Sequence, residues 1–131
     1  MANNIIMFLF GGITYGLIEV IWRGHTHWSM AVAGGICFLL IGRLNLWLRG
    51  KVSYLTRCIF GAIAVTAVEL AAGVILNLWL GLGVWDYSAM PFNLWGQICL
   101  PYFLLWVGLM VIAVWLEQAI RFKLCAEIYE K

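Results

Sequence analysis

Four long apolar runs, separated by short polar segments, occupy most of this chain of 131 residues. Each run has about 20 mostly apolar residues, the length that an α-helix needs to cross ~30 Å of hydrocarbon. Hydrophobic residues make up 65% of the sequence and charged residues only 11%. A water-soluble domain has too little interior to bury so much apolar surface. The sequence therefore predicts an all-α, polytopic membrane protein with four transmembrane helices in a single domain, 1–131.

The runs predict the positions of the four spans. They lie at about 5–22, 28–48, 58–80 and 94–116, and a short charged tail follows from residue 117. Pro101 is expected to bend the fourth helix or to mark its start, because proline lacks the N–H that a helix interior uses. The aromatic, weakly charged segment 81–93 is expected to fold against the membrane surface or to dip between helices.

The first and third spans share a pattern of small and acidic residues. Its members are Gly12, Gly16 and Glu19 in the first span and Ala62, Thr66 and Glu69 in the third. Each set lies on one helical face, where small residues allow another helix to approach closely. The string G-G-I-C at 34–37 is likewise echoed by G-Q-I-C at 96–99. The sequence therefore predicts an internal parallel repeat of two-helix units, at about 5–48 and 55–120.

Basic residues near the ends of the spans predict the orientation. Lysine and arginine cluster in segment 49–57 and after residue 120, whereas Arg23 is the only one in the loops on the other side. Basic loops of membrane proteins face the cytoplasm. We therefore expect a multi-pass protein of the cell (plasma) membrane with cytoplasmic N- and C-termini.

Glu19 and Glu69 are the principal functional candidates, because a carboxylate within a span is costly and usually faces the bundle interior or a water-filled cavity. The candidate polar intramembrane site consists of Glu19, Glu69, Arg23, Arg43, Thr66 and Asn77. One interpretation is a proton- or cation-binding site on a polar pathway. The other is a structural network that fixes the helix register. Arg23 follows Glu19 by four residues, which favours an intrahelical ion pair, whereas Glu69 has no such neighbour.

The predicted outer loops hold a second candidate set. It consists of His25, His27, Trp85, Asp86, Tyr87 and Asn93. The two histidines would need further ligands to bind a metal, so we predict no metal site and expect them to contact headgroups or cap their turn. Asp86 is expected to cap a turn and Asn93 to be the N-cap of the fourth helix. A lid over an outer opening is an alternative role for the aromatic loop.

Signatures of catalysis and of ATP binding are absent from the sequence. It has neither the P-loop pattern G-x-x-x-x-G-K-[ST] nor a serine in a G-x-S-x-G elbow. We therefore expect neither an enzyme nor a bound cofactor. The net charge of +2 is too small to argue for nucleic acid. A transporter built on this chain would need a separate ATPase, an ion gradient or neither.

Five stretches carry a resemblance to a known family. They are I-E-V-I-W-R-G at 18–24, H-W-S-M at 27–30, V-W-D-Y-S at 84–88, P-F-N at 91–93 and G-Q-I-C-L-P at 96–101. Together they resemble the bacterial four-helix proteins called putative ABC transporter permeases, or putative ABC-transporter type IV. The resemblance covers nearly the whole chain. It implies an integral protein of the cell membrane and brings no catalytic residue with it.

Three functional hypotheses remain open from the sequence. The first is a permease or channel subunit for a small solute or ion, with Glu19 and Glu69 in a polar pathway. The alternative is a non-transporting scaffold or regulatory subunit that docks a partner through Trp85 and Tyr87 of the aromatic loop. A lipid-active enzyme at the outer loops ranks last. Because four helices enclose little space, we expect partners beyond the lipid bilayer, either a homo-oligomer or another membrane protein.

Overall fold

The computed structural model describes the backbone of residues 2–129 and the side chains of residues 3–124. Within this range the chain is helical and contains no β-strand. The helices are α1 (Ala2–Arg23), α2 (Trp28–Leu48), α3 (Tyr54–Gly73) and α4 (Leu100–Tyr129). All four are long and apolar enough to cross a membrane, α3 together with the π-helical turn that continues it. The predicted all-α, four-span architecture is confirmed.

A short π-helical segment, Val74–Trp79, extends α3 towards the aromatic loop. It closes with a hydrogen bond from the Leu80 amide to the Ile75 carbonyl oxygen at 2.9 Å. Such wide turns are rare and occur frequently at functional sites. Here the segment carries Asn77, whose side chain accepts a hydrogen bond from the Val84 amide at 2.6 Å. The third span and the loop that follows it are therefore tied together.

The fourth helix begins at Leu100, so the start at residue 94 that the sequence predicts is wrong. Residues 92–96 turn back on themselves, and Phe92, Trp95 and Gly96 have φ values of 54°, 55° and 69°. A right-handed helix cannot include such residues. Pro101 consequently lies in the first turn of α4, where its missing N–H is not needed, and marks the start of the helix.

Asn93 is not the N-cap of α4, in contrast to the prediction. Its side-chain nitrogen, Nδ2, instead donates to the carbonyl oxygens of Ser88 and Met90 at 3.2 and 2.9 Å. Its side-chain oxygen accepts from the Gly96 amide at 3.1 Å. The late start of α4 leaves Asn93 within the loop, where it links one turn to the next.

The helices pack as two pairs, α1 with α2 and α3 with α4, which meet mainly through α2 and α3. In the first pair, glycine brings the backbones together. A Cβ atom at Gly12 would lie 2.6 Å from the carbonyl oxygen of Ala31, whereas one at Gly16 would meet nothing within 4 Å. Of the two glycines that the sequence suggests for close helix approach, only Gly12 makes such an approach within the described chain.

A compact core joins α2, α3 and α4. Its buried members are Ile41, Cys58, Ala62, Val65, Met110 and Val114. The outer faces of the helices are covered by exposed apolar side chains, such as Ile21 and Trp79 at 84% and 79% exposure. An apolar exterior of this kind fits a lipid solvent. By contrast, α1 and α4 have few contacts with each other, and a groove separates them.

The substitution Gly12→Ala is expected to destabilise the bundle by roughly 1–3 kcal/mol, as overpacking does in other cores. The new methyl group would press on the backbone of α2, which cannot move aside alone. Gly16→Ala is the matched control, because it makes the same change on the same helix in open space. Thermal unfolding in one detergent measures both. An equal Tm for the two variants would contradict the close packing at Gly12.

Candidate functional site

Two cavities follow one another along the groove between α1 and α4, which we call the α1–α4 groove. The apolar cavity has a volume of about 240 Å³ and is lined by all four helices. The loop cavity has a volume of about 380 Å³ and is lined by α1, α4 and part of the aromatic loop. Both share Tyr15, Ile18, Trp106 and Leu109 in their walls. The two cavities therefore adjoin each other at these four side chains, and together they form the groove.

Glu69 is the only charged residue among those that line the apolar cavity. Its Oε2 atom accepts a hydrogen bond from the indole Nε1 of Trp106 at 3.0 Å. The ion pairs of the described residues are Glu19 with Arg23 and Glu117 with Arg121. Within that part of the chain, Glu69 therefore has a neutral hydrogen-bond donor and no cationic partner.

Glu19 lines the loop cavity and, unlike Glu69, has a cationic partner. Its two carboxylate oxygens accept hydrogen bonds from the Tyr15 hydroxyl at 3.0 Å and from Nη1 of Arg23 at 3.1 Å. The intrahelical ion pair predicted from the four-residue spacing is thus confirmed. Nη2 of Arg23 also donates to the carbonyl oxygen of Val84 at 2.5 Å. Arg23 therefore connects Glu19 to the aromatic loop.

One aromatic pair stands at the junction of the two cavities. The rings of Tyr15 and Trp106 stack with their centroids 5.8 Å apart and their planes at 23°. Tyr15 donates to Glu19, and Trp106 donates to Glu69. The stacked pair therefore bonds a carboxylate from each cavity, Glu19 of α1 in the loop cavity and Glu69 of α3 in the apolar cavity. Neither aromatic is among the candidates predicted from the sequence, although Tyr15 precedes Glu19 by one helical turn.

The aromatic loop folds over the loop cavity. The Tyr87 ring stacks on that of Tyr102, with centroids 4.7 Å apart, and its backbone amide donates to Gly96 O at 2.7 Å. Trp85 is only 5% exposed and donates from Nε1 to Gln97 O at 2.9 Å. Burial, followed by the nearby Glu69 carboxylate, raises the pKa of the Tyr87 hydroxyl well above its ordinary value. Tyr87 therefore remains a neutral hydrogen-bond donor at physiological pH.

Gln97 and Asn77 fix the base of this loop. The Asn77 amide donates to the Gln97 side-chain oxygen at 2.8 Å, and the Gln97 amide donates to Trp95 O at 2.9 Å. Gly73 makes room, since a Cβ atom there would lie 2.6 Å from the Gln97 side-chain oxygen. Asn77 therefore holds the aromatic loop through Gln97 and Val84, whereas Glu69 accepts its hydrogen bond from Trp106.

Two further members of the predicted polar site, Arg43 and Thr66, are not among the residues that line either cavity. Arg43 is exposed on α2 and forms no ion pair within the described residues. The Thr66 hydroxyl is buried without a hydrogen-bond partner in that range, and Thr66 is not among the residues that line either cavity. The groove therefore brings together Glu19, Arg23 and Glu69 from the predicted set.

The predicted capping roles in the loops are confirmed for two residues. His27 is the N-cap of α2, and its Nδ1 accepts from the Ser29 amide at 3.3 Å, whereas His25 is exposed. Asp86 accepts from the Ser88 amide at 2.9 Å and from the Ser88 hydroxyl. These hydrogen bonds lower the pKa of the Asp86 carboxyl. Among residues 3–124, histidine, cysteine, aspartate and glutamate form no cluster of three or more that could hold a metal ion.

A third carboxylate within the spans escaped the sequence analysis, which assigned Glu117 to a charged tail. It is fully buried on α4, pairs with Arg121 and lies against Gly42 of α2. Nε of Arg121 donates to it at 2.6 Å. The spacing repeats that of Glu19 and Arg23, and this signal could have revealed the pair. Glu117 is not among the residues that line the groove.

These features define the class of protein. It is a multi-pass α-helical membrane protein in which the Glu19–Arg23 ion pair lines a cavity between the helices. The family model described as Putative ABC-transporter type IV matches residues 3–131. The chain therefore belongs to this family, as its motifs predict, and the family name links it to ABC-type transport. Comparisons with curated proteins and with solved structures found no match.

The substitution Gln97→Leu is expected to loosen the aromatic loop, because it removes the acceptor of the half-buried Asn77 amide. An unsatisfied polar group of this kind costs about 1–3 kcal/mol. Hydrogen exchange of the amides in 81–99 should accelerate, while that of α2 stays unchanged. Gln118→Leu is the matched control, since Gln118 has no side-chain hydrogen bond among the described residues. Unchanged exchange in the loop of Gln97→Leu would contradict this anchoring role.

Proposed function

We propose that this chain is the membrane-spanning subunit of a transport system and that the α1–α4 groove is its path for a small solute or ion. One observation carries the proposal. Glu69 lies in the wall of the groove with neutral donors beside it, the Trp106 indole and the nearby Tyr87 hydroxyl, and no cationic partner among the described residues. Carboxylates at such positions in membrane proteins typically mark cation or proton pathways.

The unequal partners of the two carboxylates support separate roles. Glu19 is neutralised by Arg23, which also holds the loop at Val84, so this pair suits a structural role. Glu69 retains free lone pairs on its oxygens, because a carboxylate can accept about four hydrogen bonds. In this proposal Glu19 shapes the mouth of the groove and Glu69 binds what passes through it.

The energy source and the orientation complete the proposal. The sequence has no P-loop, so a separate ATPase or an ion gradient would drive transport. Basic residues in segment 49–57 and after residue 120 support cytoplasmic termini in the cell membrane. The aromatic loop and the mouth of the groove would then face outward. The chain itself performs no catalysis in this scheme.

Cys37 offers a test that needs no known substrate, because it lines the apolar cavity beside Glu69. In a variant that keeps only this cysteine, we compare a trimethylammonium methanethiosulfonate with a sulfonate of similar size, each rate divided by that of the same reagent with a free thiol in solution. The normalised rate at Cys37 should be about fivefold to tenfold higher for the cationic reagent. Glu69→Gln should abolish the preference, because it removes the attracting charge. Reaction rates in proteoliposomes measure the effect.

Glu117→Gln is the matched control for this experiment. It removes a buried carboxylate that lies outside the groove, so the preference for the cationic reagent should persist. Equal rates for the two reagents in the unmodified background, or a Cys37 that no water-soluble reagent reaches, would contradict a cation path along the groove.

A second candidate function is the docking of a partner protein at the aromatic loop. Phe92 and Trp95 are 83% and 65% exposed, and both have positive φ. Non-glycine residues in this conformation cost about 1–3 kcal/mol each and occur preferentially at functional sites. Trp85, which the sequence suggests for docking, is buried. A partner would therefore contact Phe92 and Trp95.

The double substitution Phe92→Ala and Trp95→Ala tests this docking surface. If a partner binds there, its recovery on co-purification from the native membrane should fall about tenfold or more, as for the loss of aromatic anchors elsewhere. Trp47→Ala, which removes an exposed aromatic at the other end of the bundle, is the control. If the double variant recovers as much of the partner as the unsubstituted protein does, the partner does not bind at Phe92 and Trp95.

A further inference from the structure

We infer that the α1–α4 groove binds an amphipathic amine, with its alkyl chain in the apolar cavity and its protonated amine at Glu69. This inference rests on the proposed function and names the chemical class of the solute. Three features of the groove carry it: the apolar lining, the uncompensated carboxylate beside two aromatic rings, and the opening between α1 and α4.

The lining of the apolar cavity selects an alkyl chain. Phe10, Met30, Phe38, Val65 and Met110 typify the side chains from the four helices that form its wall. A hydrophilic solute that passes along this wall finds few hydrogen-bond partners to hold it there. An alkyl chain loses nothing on the same transfer and fills space that is otherwise poorly packed.

The junction of the cavities selects a cationic head. Glu69 presents free acceptor capacity there, next to the stacked rings of Tyr15 and Trp106. Aromatic faces attract ammonium groups, and a carboxylate pairs with them directly. Along the rest of the groove Arg23 compensates Glu19, and Asp86 adds a negative charge at the loop cavity. The summed charge of the groove therefore favours an amine and disfavours a carboxylate or a phosphate alone.

The opening of the groove gives such a molecule access from the bilayer. Of the helix pairs that touch, α1 and α4 have the fewest contacts, so side chains, among them the stacked Tyr15 and Trp106, form that side of the groove in place of packed backbones. Trp106 lies six residues after the start of α4, which places the junction about 9 Å below that end of the helix. The head would thus lie deeper than the headgroups of the surrounding lipid, with the loop cavity above it for water or for further headgroup atoms.

The test compares three probes with the same chain and different heads: dodecylamine, dodecanol and dodecanoate. Native mass spectrometry of the purified full chain counts the molecules bound at each concentration. We expect one dodecylamine per chain, weaker binding of dodecanol and the weakest binding of dodecanoate. Glu69→Gln should weaken dodecylamine binding roughly tenfold or more, because it removes a desolvated charge partner. Glu117→Gln, which leaves the groove intact, should not.

A second variant keeps the inference testable if Glu69→Gln does not fold. Ala33→Leu adds bulk inside the apolar cavity and leaves Glu69 in place. It should abolish dodecylamine binding, because the larger side chain occupies the space that the alkyl chain needs. Lysophosphatidylethanolamine then distinguishes the source of the amine: competition with dodecylamine indicates a membrane lipid, and failure to compete indicates a free alkylamine.

Equal binding of dodecylamine and dodecanoate, or dodecylamine binding that neither variant weakens, would overturn the inference. A groove filled by a second copy of the chain, seen as a dimer that takes up no probe, would overturn it as well. The proposed function fails on a different result. If dodecylamine binds through Glu69 but Cys37 shows no preference for the cationic reagent, the groove is a binding site without being a path.

Discussion

A carboxylate within the hydrocarbon of a membrane has no water to hydrate it, so other side chains must hold it. The described helices solve this problem in two ways. Glu19 and Glu117 each pair with an arginine one turn later on the same helix. Glu69 instead relies on the indole of Trp106. Among the side chains that the structure describes, this difference leaves Glu69 as the carboxylate of the spans without a cationic partner, and it lies in the wall of the groove.

The groove and the aromatic loop form one connected structure. Arg23 bonds both Glu19 and the backbone of Val84, so the ion pair at the mouth of the groove also positions the loop. Asn77, on the π-helical turn, holds Val84 from the other side. A solute that displaced Arg23 from Glu19 would therefore alter the loop. The exposed Phe92 and Trp95 could report such a change to a neighbouring protein.

The spans and the Glu19–Arg23 pair were predictable, because apolar length and four-residue spacing are local properties. The start of α4 was not predictable from the sequence, because the positive φ angles of Phe92 and Trp95 depend on hydrogen bonds that form in the folded loop. The contact of Tyr15 with Trp106 joins the first and fourth helices, whose relative rotation no local pattern fixes. The two-helix repeat stays a prediction.

The occupant of the groove is the point on which the proposed transport role depends, and photocrosslinking in the native membrane identifies it most directly. A diazirine analogue of leucine at Leu109, which lines both cavities, would capture what lies there. The same analogue at the exposed Leu104 reports the ordinary lipid background. We predict a small-molecule adduct at Leu109 that differs from this background and is lost in Glu69→Gln. A protein-sized adduct at Leu109, unaffected by Glu69→Gln, would contradict a ligand-binding groove.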